Sequence, residues 1–134
     1  NENIIIVCAD IEDQIMGLET KDRKDFMLES GIKSTGLGNL IKTGYDTLGL
    51  STFFTSGPEE SRAWTVEKSS SAADAAGVIH TDFKKKFIRA ETVTSDDFIK
   101  YKGFNECKNS GKLRLEGKDY LVNDGDVMYF RVGN

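Results

Sequence analysis

The spacing of apolar side chains changes once along this chain, near Leu50, and that change limits what each part can fold into. Upstream, Leu37, Leu40, Ile41, Tyr45 and Leu48 recur at intervals of three and four, the period of a helix with one buried stripe. Downstream, β-branched and aromatic residues gather in short runs at 51–55 and 62–67. Between them Gly57-Pro58-Glu59-Glu60 reads as a hairpin loop. Ser69-Ser70-Ser71 offers an N-cap for a helix over 72–76 with Gly77 as its stop. Residues 87–94 alternate as a strand does. Ser95-Asp96-Asp97 opens a short helical turn, and 104–110 is another. Short strands at 113–116 and 120–122 lead to the turn Asn123-Asp124-Gly125-Asp126 and a closing strand over 127–132. Hairpin, helix, strand, short helices and a final strand pair make an α+β fold, a mixed sheet packed on one helix.

The upstream part reads as a strand followed by helices. Residues 4–8 are continuously apolar, as in a strand buried on both faces of a parallel sheet. Such a strand does not stand alone, so the expectation is a chain cut from something longer, with most of that sheet before Asn1. A short helix is expected over 11–17 and a charged one over 21–30, stopped by Gly31. A third is capped by Thr35 or Ser34.

Composition excludes several classes. With 134 residues, 38% hydrophobic and 30% charged, the chain is of ordinary globular type. No apolar run approaches the roughly 18 residues of a membrane-spanning helix, and the start lacks the pattern of a signal peptide. Cys8 and Cys107 form no CxxC pair and read as reduced thiols. With His80 as the lone histidine, there are too few ligands for a closed zinc site. The net charge of -4 is unevenly spread. Residues 1–49 hold nine acidic and five basic side chains, whereas 81–118 hold ten basic against six acidic. The acidic total conceals a basic stretch.

Eight short segments then carry a resemblance. Phe53-Phe54-Thr55, Arg62-Ala63-Trp64-Thr65, Ala75-Ala76-Gly77 and Ile79-His80-Thr81-Asp82-Phe83 come first. Phe87-Ile88-Arg89-Ala90-Glu91, Gly111-Lys112, Glu116-Gly117-Lys118-Asp119-Tyr120 and Asp124-Gly125-Asp126 follow in order. Together they resemble the C-terminal region of the YchF / Obg-like ATPases, P-loop NTPases of the translation-factor class. The resemblance implies a ubiquitin-like β-grasp (TGS) domain at 50–134. Residues 1–49 would be the end of a G domain, its last strand, and a helical connector. A family pattern close to HTDFE-x-GF stands here as His80-Thr81-Asp82-Phe83-Lys84-Lys85-Lys86-Phe87. Lysine at 86 in place of glycine implies either a negative φ there or tolerated strain.

Further implications concern function. The parent protein would bind and hydrolyse ATP, in preference to GTP, with Mg²⁺, and would associate with the ribosome in the cytoplasm. Its own upstream G domain is an implied partner, with no membrane and no DNA specificity expected. Cys8 and Ala9 resemble the Ser/Cys-Ala pair of the fifth nucleotide-binding element and are the candidate nucleotide contacts. The alternative for them is a buried strand end. Asp10, where related G proteins often place lysine, puts a base contact from that side chain in doubt.

The residues themselves supply one further lead. Lys84, Lys85, Lys86 and Arg89, then Lys100 and Lys102, then Lys112, Arg114 and Lys118 form a basic set able to neutralise ribosomal-RNA phosphates. The alternative is a solvated face with acidic neighbours. A second functional reading makes the TGS unit a protein-protein or small-nucleotide regulatory module without direct RNA contact. Trp64 is read as core packing before base stacking, and His80 as structural. Nucleotide hydrolysis needs a GxxxxGK[ST] loop, and Gly36-Leu37-Gly38 continues with Asn39-Leu40. The purified 134-residue chain is therefore expected to release no phosphate from ATP or GTP; measurable turnover in a phosphate-release assay would contradict this.

Overall fold

The computed structural model describes residues 4–133. The chain forms two compact units, Asn1–Leu48 and Gly49–Asn134. In the first, α1 (Ala9–Gly17), α2 (Thr20–Glu29) and α3 (Gly36–Leu48) follow one another. Arg23 donates from Nε to the Leu18 carbonyl at 2.9 Å and from Nη2 to that of Met16 at 3.3 Å. These bonds satisfy carbonyls that the end of α1 leaves open. Of the two candidate caps for α3, Thr35 serves: its Oγ1 accepts from the Gly38 N–H at 3.0 Å. The Gly36 N–H donates to Glu12 Oε1 at 2.6 Å. A Cβ at position 36 would lie 2.7 Å from Val7 Cγ1, so this close approach of α3 to the segment before α1 requires glycine.

Two expectations for this unit fail. Residues 4–8 are not a strand; Ile4 and Ile6 are exposed, and α1 begins immediately after Cys8. A strand needs a neighbour to bond its N–H and C=O groups, and among the described residues none pairs here. On α3 the apolar stripe is present but uncovered, with Leu37, Leu40, Ile41 and Leu48 all more than half exposed. Periodicity identifies the apolar side of a helix; it does not supply the surface that buries it.

The second unit is an α+β sandwich of one sheet and its helices. The strands are β1 (Leu50–Ser56), β2 (Ser61–Glu67), β3 (Phe87–Thr94), β4 (Arg114–Glu116) and β5 (Asp126–Val132). Their order is β2-β1-β5-β3-β4. β1 and β2 pair antiparallel through seven successive residues without a register shift, as the hairpin loop dictates. The last strand in the chain, β5, lies at the centre, parallel to β1 at Phe54–Val127 and antiparallel to β3. The sheet is therefore mixed.

The helix α4 (Ala72–Ile79) covers one face. Ser71 caps it, its Oγ accepting from the Asp74 N–H at 3.1 Å. Ala72 and Ala75 are small enough to bring the helix onto Phe53, Val66, Ala90 and Met128, with Trp64 and Phe130 at the rim. Adjacent residues of the same strands point the other way. There Val93 and Val127 meet Cys107 of α7 (Phe104–Asn109) in a second cluster, closed by Phe54, by Phe98 of α6 (Ser95–Tyr101) and by Phe104.

Local differences from expectation have physical causes. Gly77 does not stop α4, which continues to Ile79; it sits where a Cβ would come 3.2 Å from Lys84 Cβ on the short α5 (Thr81–Lys85). Tight packing of the two helices, and not termination, is its role. Residues 120–122 form only one bridge, Ser71–Leu121, and not a strand. The turn before β5 does more than reverse the chain. Gly125 (φ +83°) donates its N–H to Thr52 and accepts at its carbonyl from Ser95, while Asp124 Oδ1 accepts from the Thr52 N–H.

Replacing Phe53, fully buried and edge-on to Phe130 at 5.9 Å, by alanine removes the largest side chain of the main cluster. The expected cost is about 3–5 kcal/mol, read as a lower urea midpoint for Phe53→Ala than for the parent chain.

Candidate nucleic-acid interface

The basic set is positioned by four local structures, of which β3 carries Arg89 alone. The first is α5, where His80 Nδ1 accepts from the Asp82 N–H at 3.2 Å and so caps the helix. His80 is exposed and structural in this sense. Lys84 and Lys85 fall in the last turn, where cations complement the helix dipole. Lys86 follows with φ −98°, so lysine replaces glycine here without backbone strain. Lys84 is committed: its Nζ lies 2.6 Å from Asp74 Oδ1. The hydrogen bond from Lys84, joined by that from Ser71, holds the Asp74 carboxyl below its usual range.

The second structure is the α6–α7 corner. Lys100 lies in the last turn of α6 with its Nζ 5.4 Å from the Tyr101 ring. Lys102 ends the helix in the left-handed region at φ +62°, and Gly103 (φ +136°) completes the bend. Beyond α7, the Lys112 N–H donates to Cys107 at 2.8 Å. Cys107 is fully buried, and desolvation pushes its thiol up, with Asp97 and Glu106 adding to the effect.

Around β4, Arg114 is the second committed cation. Its Nη2 reaches Asp126 Oδ1 and the Tyr120 hydroxyl, each at 3.1 Å, and its Nε lies 3.6 Å from Glu116. Asp126 is 2% exposed and also accepts from the Tyr120 hydroxyl at 2.7 Å and the Asn123 N–H at 2.9 Å. This is an internal network that joins β4 to β5. Lys118 stays exposed, its carbonyl bonded to the Ala73 N–H.

Arg89 stands opposite Arg131 across the β3–β5 ladder, on the sheet face shared with Val93 and Val127. Sequence reasoning missed Arg131, as well as Glu91 and Tyr129 beside it. The signal was there: the alternation of β5 puts 127, 129 and 131 on one side. Thus Lys84 and Arg114 are tied into ion pairs. Lys85, Lys86, Arg89, Lys100, Lys102, Lys112 and Lys118 are exposed, with no carboxylate within 4 Å among the described residues. Trp64 packs on the main cluster, its Nε1 donating to Thr55 Oγ1 at 2.9 Å and its ring covered by Arg62 at 4.2 Å.

Cys8 and Ala9 lie in the first unit. Cys8 is an exposed free thiol at the N-cap of α1, its carbonyl accepting from the Glu12 N–H, and Ala9 begins the helix. The two are at a helix start, not at a strand end. Gly36, which packs against Val7, has its N–H engaged by Glu12. Among the described residues no group of three His, Cys, Asp or Glu side chains is placed to hold a metal ion. These residues do not fit a nucleotide–Mg²⁺ site by themselves.

Comparison with known proteins bears on the whole chain. Residues 50–133 match the family model YchF-GTPase_C, described as a protein of unknown function (DUF933). The chain is 54% identical over 128 residues to the ribosome-binding ATPase YchF of Haemophilus ducreyi, covering 96% of this chain and 35% of that protein. It is 50% identical over 131 residues to the ribosome-binding ATPase YchF of Bacillus subtilis, covering 98% and 36%. The structure of the Schizosaccharomyces pombe YchF GTPase matches with a TM-score of 0.72 at 34% identity, over 93% of this chain and 33% of that one. The chain spans about a third of the length of the relatives it matches.

The Tyr120 phenol gives the network around Arg114 a pH signature. Burial first, and its hydrogen bond to Asp126 second, hold its pKa above the usual 10.0. A raised acid pKa means the native state keeps a proton that the unfolded chain releases. The associated stability is complete below about pH 10 and is lost as pH rises through the native value. Tyr120→Phe is expected to flatten this alkaline loss in a series of urea melts. At neutral pH it should cost about 1–3 kcal/mol, because Asp126 loses a donor.

Proposed function

The chain belongs to the YchF family, and on that premise we propose that it is the C-terminal portion of a translation-associated P-loop ATPase. In this reading residues 50–134 form the TGS domain, a ubiquitin-like β-grasp. Residues 1–49 comprise the end of the G domain and the helical connector. The whole protein, in the cytoplasm, binds and hydrolyses ATP in preference to GTP, with Mg²⁺, using a phosphate loop outside these 134 residues. Cys8 and Ala9 are the contribution of this chain to the nucleotide site, through backbone N–H groups near the base. Its own G domain and the ribosome are its partners.

For the second unit we propose a ribosomal-RNA-facing surface. The observation that supports it is that seven of the nine cations of the expected basic set, all but Lys84 and Arg114, are exposed and without a carboxylate within 4 Å among the described residues. Lys84 and Arg114 hold structure and are removed from the binding set. Phosphate neutralisation by such cations is strong at low ionic strength and carries no sequence information. Nucleotide state in the G domain would then change how this surface meets the ribosome.

An alternative is a protein-binding or small-nucleotide module without RNA contact. The two differ in their response to salt. Ribosome or ribosomal-RNA binding by the 134-residue chain is expected to weaken about tenfold or more between 50 and 200 mM salt. Lys85→Glu, Lys86→Glu and Arg89→Glu combined should abolish most of it, while thermal melts stay unchanged. A flat salt response with unaltered binding by the triple variant would favour the protein-binding reading.

A further inference from the structure

The sheet face that carries Arg89 and Arg131 is covered by α6 and α7 over only part of its area. Where the cover stops, a cleft of about 390 Å³ opens between the hairpin loop at Gly57-Pro58 and the bend at Lys102-Gly103. That volume is in the range of small-ligand sites. Its floor is Tyr129, 42% exposed, with the Arg131 guanidinium 4.5 Å over the ring and Phe104 edge-on at 6.4 Å. Two stacking planes, one aromatic and one guanidinium, thus lie together at the cleft.

The hydrogen-bonding groups are unequal in a useful way. Glu91 is largely buried, with a side-chain exposure of 19%, and Arg131 Nε engages one of its oxygens, Oε1, at 3.0 Å. Arg131 therefore fixes the carboxylate while Oε2 has no hydrogen-bond partner among the described residues. Glu106, on α7, is a second carboxylate of the same cleft. Ionised carboxylates only accept. A planar ligand with N–H donors along its edge would use both features, the stacking planes and the carboxylate acceptors. Exposed Lys102 at one wall supplies a cation for a phosphate attached to it.

We infer that this cleft holds one unpaired nucleobase of RNA. Guanine suits it best, because the adjacent N–H groups on its Watson–Crick edge match the two oxygens of a single carboxylate such as that of Glu106, whereas uracil offers one N–H between two carbonyls. The base stacks on the Tyr129–Arg131 pair, as unpaired bases do on aromatic and arginine planes. The inference rests on the RNA-facing reading above and adds to it a base preference that phosphate contacts cannot give. Phosphate contacts orient the strand, and the cleft reads one position of it.

The test uses the 134-residue chain and fluorescently labelled UUUUUUU and UUUGUUU, with binding followed by anisotropy. The G-containing strand is expected to bind about tenfold tighter. Tyr129→Ala should remove that advantage, and Tyr129→Phe should keep it. If Tyr129→Ala fails to fold, the exposed substitution Glu106→Gln decides, and it should cut the guanine preference. Lys102→Gln should weaken both strands about equally. Equal, salt-sensitive binding of both RNAs overturns the base site and leaves the phosphate-binding surface standing. A guanine preference untouched by Tyr129→Ala or Glu106→Gln also overturns the site. No binding of either RNA overturns both.

Discussion

The turn at Asn123–Asp126 is the constraint on which the second unit depends. Its backbone joins β1 through Thr52 and α6 through Ser95, and Asp126 gathers Arg114, Tyr120 and the Asn123 N–H into one buried network. The bonds to Thr52 and Ser95 cross between elements that are distant in sequence, while those to Tyr120 and the Asn123 N–H close the turn on itself. A buried carboxylate with three donors is stable only while all three remain, since any donor removed leaves an acceptor without water or partner. The same residue starts β5, the strand on which both neighbours are registered. Geometry at the turn is thereby imposed on the whole sheet. Gly125 is the residue that admits it, since a side chain would be strained at its positive φ and its Cβ would come 3.1 Å from Ser95 Oγ.

How much of this was legible depended on the range of the interaction. The hairpin of β1 and β2, the Ser71 cap and the turn before β5 are decided by neighbours in sequence, and the residues announce them. The strand expected at 4–8 failed because apolar continuity states a demand for burial but not the means of meeting it. The α3 stripe is the same case. Gly77 was misread for the opposite reason: its cause is a side chain on another helix, which no local rule contains. The basic set was visible as composition, yet which cations are bound internally is a matter of tertiary distance. Lys84 and Arg114 look no different in sequence from Lys85 and Lys112.

The open sheet face shows the same division from the functional side. Arg89 was found because it lies in a run of cations. Arg131, Tyr129 and Glu91 were not, although alternation in two strands puts them together. Their meaning comes from the pairing of β3 with β5, which links positions 40 residues apart in the case of Glu91 and Arg131. Charge alone suggested a non-specific surface for phosphates. The arrangement of an oriented carboxylate beside stacked planes adds the possibility of selection, and it does so with residues of both signs. Net charge is blind to such a site.

The central position of β5 has a consequence for the time course of folding. Bonds such as that from Thr52 to Asp124 span 72 residues, and central pairing waits on the last of the five strands to be synthesised. Hairpin and helices can form early, since their contacts are local, but they have no shared template until β5 arrives. Such high contact order favours slow, late condensation. During synthesis the β1 edge that will accept β5 remains open, and the chain is then most vulnerable to pairing with another copy of itself. The strand that closes the sheet is also the one that ends this interval.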